Sequence, residues 1–133
     1  MLLLDSDTCV HILRARQPHI TRYAELEPGT VYISAVTYHE LYYGALHAGV
    51  TKDRHLKTLE DFVIELTILP FTSSSSACSA EVRESLAAKG SPIGPLDTLI
   101  AGHALEHELT LVTGNVREFS RVEGLMLENW DES

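Results

Sequence analysis

Three acidic residues in this chain stand where elements of structure begin or end. Asp5 closes the apolar run Leu2-Leu3-Leu4 and is followed at once by Ser6 and Asp7. Glu40 lies in Ser34-Ala35-Val36-Thr37-Tyr38-His39-Glu40-Leu41, and Asp97 ends the segment Gly90-Ser91-Pro92-Ile93-Gly94-Pro95-Leu96-Asp97. A fourth position, Thr113-Gly114-Asn115, offers a hydroxyl and an amide oxygen. Each has a simpler role open to it. Asp5 and Ser6 suit a helix N-cap, Glu40 and Asp97 complement a helix dipole, and Asn beside Gly is ordinary turn chemistry. Asp97 also heads an apolar stretch (Leu99, Ile100, Ala101, Ala104, Leu105), where a carboxylate is costly to bury without a partner. Several carboxylates drawn to one place repel one another unless a divalent cation neutralises them. Oxygen donors suit Mg2+ or Mn2+, and such a site suits phosphodiester hydrolysis. His39-Glu40 does not open a zinc-protease helix, because Tyr43 stands where the second His is required.

The elements that must position these residues alternate between strand and helix. Leu2–Leu4 reads as a buried strand that runs into a helix through about Leu13 to Arg16. Pro18 opens a second helix, stopped by Pro28-Gly29. Val31–Val36 is a second buried strand, with a helix from Thr37 to about His47. Leu56, Leu59, Phe62, Val63 and Leu66 mark an amphipathic helix over Thr51–Leu66. Thr67–Leu69 is a third strand, Ser73–Ser76 a loop and N-cap, and the following helix runs to Lys89 and ends at Gly90. Leu96 to about His107 is helical, Thr110–Thr113 a fourth strand, and Leu125–Leu127 a short fifth. This alternation predicts an α/β fold with a mostly parallel sheet covered on both faces. In such folds the working site lies beyond the carboxyl ends of the strands at the switch in strand order. That rule selects Asp5 and the residues after Thr113.

The 133 residues suffice for one domain with a core. No apolar run nears the roughly 18 residues of a membrane span, and no signal-peptide core follows the start, so a cytoplasmic protein is expected. Cys9 and Cys78 lack the spacing of a disulfide framework or a zinc site. The net charge of −9 argues against a broad positive face for nucleic acid. Charge is uneven, however: no acid lies between Asp7 and Glu25, where Arg14, Arg16 and Arg22 cluster, whereas the C-terminal stretch carries Glu128, Asp131 and Glu132 without a base. Tyr38, Tyr42 and Tyr43 share a helix with Leu41 and Leu46, a spacing that favours burial or a partner over base stacking. His103 reads as a core or surface histidine.

Leu4-Asp5-Ser6-Asp7, Ile33-Ser34-Ala35-Val36-Thr37 with Glu40-Leu41-x-x-Gly44, the Gly90–Asp97 segment, and Leu111-Val112-Thr113-Gly114-Asn115-x-Arg117-Glu118-Phe119 together resemble the PIN-domain ribonucleases. More narrowly they resemble the VapC toxins of bacterial toxin–antitoxin pairs. The likeness runs to Gly124-Leu125-x-Leu127-Glu128-Asn129-Trp130 and implies a single PIN domain over 1–133. It implies an α/β/α sandwich with a mostly parallel sheet of four to five strands. It also implies a Mg2+- or Mn2+-dependent endoribonuclease acting on structured RNA, in several members transfer RNA including the initiator. The family's catalytic set falls on Asp5, Glu40, Asp97 and Asn115. Asp5 and Asp97 would bind the principal cation, and Glu40 would complete the site and orient the attacking water. The family often has Asp where Asn115 stands, which makes Glu118 a candidate replacement, and Asp7 stands where Asn is usual. Ser6 and Thr113 match hydroxyl positions lining the site. Arg14, Arg16, Arg83 and Arg117 are candidates for phosphate contacts. A homodimer and a VapB-type antitoxin, assembled into a hetero-oligomer, are the implied partners. The competing readings are a degenerate metal-binding or scaffold module and a nuclease acting on DNA.

Overall fold

The computed structural model describes residues 1–131; Glu132, counted above with the C-terminal acids, and Ser133, the end of the expected domain, lie outside the described residues. Five strands form one sheet in the order β3-β2-β1-β4-β5, and every neighbouring pair is parallel. They are β1 (Leu2–Leu4), β2 (Val31–Ser34), β3 (Thr67–Leu69), β4 (Thr110–Val112) and β5 (Leu127–Glu128). The helices are α1 (Ser6–Leu13), α2 (His19–Ala24), α3 (Ala35–Leu46), α4 (Lys52–Ile64), α5 (Ser73–Ala88), α6 (Pro95–Glu106) and α7 (Val116–Phe119). A 3-10 turn over Gly49–Thr51 leads into α4.

Side chains alternate across a strand, and this splits the apolar residues into two cores. Leu3 and Leu111 pack on one face with Val82 and Leu86 of α5, Ile100, Ala101 and Ala104 of α6, and Phe119 of α7. Leu4 and Val112 pack on the other face with Cys9 and Ile12 of α1, Leu59 and Phe62 of α4, and Trp130. Helix α3 packs against α1, α4 and α6. The result is the expected sandwich. Cys9 and Cys78 are free thiols. No helix among the described residues is long and apolar enough to cross a membrane.

Several elements differ from the sequence reading, the most informative for local reasons. Strand β2 stops at Ser34, whose hydroxyl caps α3 by accepting from the Val36 N–H at 3.1 Å. The four serines are not a loop. They form the first turn of α5, because Thr72 takes the N-cap role and exchanges capping bonds with Ser75. The fifth strand lies at Leu127–Glu128, later than expected. Helix α7 escaped the pattern because four residues are too short to show a period.

The switch in strand order falls between β1 and β4, since the chain leaves β1 toward β2 and β3 and returns on the far side. The carboxyl ends of β1 and β4 therefore open into one crevice.

Candidate active site

Asp5 stands at the base of that crevice. Its N–H donates to the Val112 carbonyl at 3.1 Å, so the residue after β1 is fastened to the end of β4. Its Oδ1 caps α1 by accepting from the Thr8 N–H at 2.8 Å, and Thr8 Oγ1 donates to the same Val112 carbonyl at 3.2 Å. Capping and placement are thus one arrangement: the cap fixes the carboxylate at the strand end. Asp5 is only 8% exposed, and burial pushes its carboxyl above its usual range despite hydrogen bonds from Thr113 and Thr8.

Glu40 reaches the same edge from α3. Its Oε1 accepts from Ser6 Oγ at 2.6 Å, which ties it to the residue beside Asp5. Asp97 arrives on the first turn of α6, with Pro95 starting the helix. Its carboxyl is pushed up to about 6, first by burial and then by the charges of Glu118, Asp5, Glu40 and Asp7. These four acids come from three segments: Asp5 and Asp7 at the start of α1, Glu40 on α3 and Glu118 on α7. The acids do not crowd onto one point, however. The described groups of three or more metal-ligating side chains whose ligand atoms lie within 4.8 Å of one another are His11, His19 and Asp131, and His103, Glu106 and His107. The Asp5, Glu40 and Asp97 oxygens stand farther apart.

The segment after β4 closes the fourth side. Thr113 is fully buried, and its Oγ1 accepts from the Asn115 N–H at 3.0 Å. Asn115 Nδ2 donates to Glu118 Oε2 at 2.6 Å, so its nitrogen, not the oxygen anticipated for the site, makes the contact. The other Glu118 oxygen accepts from the Gly94 N–H at 2.8 Å. These two bonds hold the Glu118 carboxyl below its usual range. They also link the turn after β4 to the turn that delivers Asp97. A Cβ on Gly94 would lie 3.6 Å from Asp97 Oδ2 and 3.8 Å from Glu118 Oε1, which puts both carboxylates beside that one residue. Asp7 is exposed and borders a small pocket with Asn115 and Asp131.

Sequence reasoning missed Asp131, which it took for part of an acidic tail. The Asp131 carboxylate lies against Gly114, where a side chain would have to displace it, and pairs with His19 Nε2 at 2.8 Å. The signals available were Gly114, two residues after β4, and Trp130, which is buried and anchors the tail. The basic residues divide. Arg14 shares with Glu40 and Arg54 a groove of about 580 Å³ between α1, α3 and α4. Arg54 had no local signal, since it belongs to the polar face of α4. Arg83 borders a second groove, of about 470 Å³, with Pro92, Ile93 and Pro95 of the turn before Asp97. Arg16 turns to His11, 3.5 Å away, and Arg117 is exposed on α7.

Carboxylates around the switch point of a parallel α/β sheet offer oxygen donors of the kind that suit a hard cation. The donor set fits that role: Asp5, Glu40 and Asp97 supply oxygen only, and their mutual repulsion is what a divalent ion relieves. A family model described as "PIN domain" matches residues 2–125. The chain is 36% identical over 128 residues to the tRNA(fMet)-specific endonuclease VapC of Salmonella typhimurium, covering 96% of each. It is 35% identical over 132 residues to Ribonuclease VapC2 of Rickettsia felis, covering 98% of each. The crystal structure of VapBC2 from Rickettsia felis bound to a DNA fragment from their promoter superposes with a TM-score of 0.90 at 33% identity, covering 98% of each chain. The chain belongs to the PIN-domain family and, within it, to the VapC proteins.

Proposed function

We propose that the chain is the toxin of a VapBC-type pair, a Mg2+- or Mn2+-dependent endoribonuclease that hydrolyses structured RNA, with initiator transfer RNA as the first substrate to test. The observation that carries this reading is the placement of Asp5, Glu40, Asp97 and Glu118 around the switch point, with Glu40 bonded to Ser6 beside Asp5 and Asp97 and Glu118 both against Gly94. Near full-length identity to a tRNA(fMet)-specific endonuclease supports the substrate class. Relatives solved as VapBC complexes support a VapB-type antitoxin and a toxin–antitoxin hetero-oligomer as partners.

Asp5 and Asp97 would hold the cation, and Glu40 would complete its shell and orient the attacking water. A divalent ion bound there lowers the pKa of water and offsets the charge that builds on phosphorus. Ser6 fixes the Glu40 carboxylate, and Thr113 and Thr8 keep Asp5 aimed from below. Glu118 holds the Gly94 turn, and with it Asp97, and supplies the negative charge that Asn115 lacks.

The test is cleavage of a transfer-RNA pool by protein stripped of antitoxin, with Mg2+ or Mn2+, with EDTA, and beside Asp5→Asn. Discrete fragments that need both metal and Asp5 support the reading. Folded, metal-supplied protein that cuts neither transfer RNA nor other RNAs would overturn it in favour of an inert scaffold.

A further inference from the structure

The C-terminal turn of α6 carries His103-Ala104-Leu105-Glu106-His107. Histidines four apart share one helix face, and a glutamate three after the first lies between them. Two imidazoles at this spacing with an adjacent carboxylate form a zinc-binding pattern on a helix.

His103 is fully buried, with Nδ1 2.8 Å from Ser34 Oγ. Its Nε2 makes no hydrogen bond of good geometry, although the Pro70 carbonyl lies close enough to favour a proton on the ring. A buried imidazole nitrogen without a partner is costly, and such atoms call for an explanation. This one is 4.0 Å from Glu106 Oε1, and the same oxygen lies 3.2 Å from His107 Nε2. All three ligand atoms fall within 4.8 Å of one another. Tetrahedral zinc with bonds of about 2.0–2.1 Å sets its ligand atoms about 3.3 Å apart. The His107–Glu106 separation matches that value, and the His103–Glu106 separation exceeds it by about 0.7 Å, which a small shift of Glu106 Oε1 toward His103 would close with its bond from Ser75 kept.

We propose that His103 Nε2, Glu106 Oε1 and His107 Nε2 form a second metal site, for Zn2+ or a similar borderline ion. Two nitrogen donors select against Mg2+, so this site and the oxygen-only cluster around Asp5 discriminate between ions by chemistry. Solvent reaches it past His107, whose side chain is 41% exposed, and water completes the shell. The outer contacts are in place. Ser34 Oγ orients the His103 ring, and Ser75 Oγ donates to Glu106 Oε1 at 2.6 Å. An ion there would clamp the end of α6 to the start of α5 and the end of β2. At ~1.5 Å per residue, His103 lies about 9 Å along α6 from Asp97, so the site does not depend on the nuclease reading.

The test measures zinc retained after desalting in excess Mg2+, using Asp97→Asn protein so that the acidic cluster is weakened. About one zinc per chain is expected. His107→Ala should lose it or bind about tenfold or more weakly, and Glu106→Gln should also weaken it. Cobalt should give the visible bands of a tetrahedral ion with nitrogen ligands, and His107→Ala should abolish them. His107 is exposed enough that its removal spares the fold, and Mg2+-supported RNA cleavage by His107→Ala in the otherwise native chain should match the native rate. Equal zinc retention with and without His107, or no retention by the parent, would overturn the proposal.

Discussion

Asp97 and Glu118 flank Gly94 yet titrate in opposite directions. Glu118 accepts two N–H bonds and stays ionised, whereas Asp97 is partly buried and faces four acids. The sign of the consequence follows from linkage. Asp97 has a value near 3.8 unfolded and about 6 folded, so between these the unfolded chain has already released a proton that the folded chain keeps. Its contribution therefore falls as pH rises from about 4 to about 6. Metal-free protein should lose thermal stability through that window, and Asp97→Asn should flatten the loss while abolishing cleavage. Melting curves across the window, native beside variant, check this; identical pH profiles would show that the Asp97 carboxyl is not raised in the folded chain. Glu118 is argued differently, because it positions. Glu118→Ala should leave the fold intact and slow cleavage roughly tenfold or more, as expected when a support behind a metal-binding carboxylate is removed. An unchanged rate would reduce Glu118 to a turn-forming residue.

At the scale of elements, the α5–α6 pair shows what the sequence made legible and what it did not. The start of α6 was readable to within one residue: the helix was expected from Leu96, and it begins at Pro95, which suits a first helical position. Asp5 and Asp97 stand at the strand end and helix start that their local signatures indicate, whereas Glu40 falls in the second turn of α3, beyond the helix start at which it was read. The start of α5 was misplaced, since serine serves equally as cap and first turn, and only the Thr72–Ser75 exchange decides. Asp131 and the His103 group were not legible, because their significance lies in what packs against them. Gly102 belongs to the same class. It sits mid-helix, where glycine normally costs stability, but a Cβ there would lie 2.5 Å from the Ser79 Cα. Helices α5 and α6 cross at this contact, and Ser79 Oγ donates to the Leu99 carbonyl at 3.2 Å. Gly102→Ala should therefore destabilise by ~1–3 kcal/mol, against the usual preference for Ala in helices. Denaturant titration measures it, and a stabilised variant would mean that the crossing is looser than described.

The whole molecule carries a charge of −9 and is proposed to bind a polyanion. Long-range attraction cannot draw RNA to such a surface, so binding must rest on a few local cations and on the divalent ion itself. Arg14 and Arg54 border the groove that ends at Glu40, and Arg83 borders the groove beside the Asp97 turn. Each true phosphate contact releases counterions, and its loss lowers the slope of log K against log salt by about 0.7 for single-stranded RNA. Arg14→Ala should weaken binding of a non-cleavable RNA and flatten that slope by about this amount. Arg16→Ala, whose side chain turns toward His11, should change the slope less. Chelation should raise the dissociation constant as well as stop cleavage, because without the cation the acids at the crevice repel the phosphate they otherwise receive. If EDTA left binding untouched while abolishing cleavage, the RNA would be held wholly by surfaces away from the acids, and the cation would serve chemistry alone.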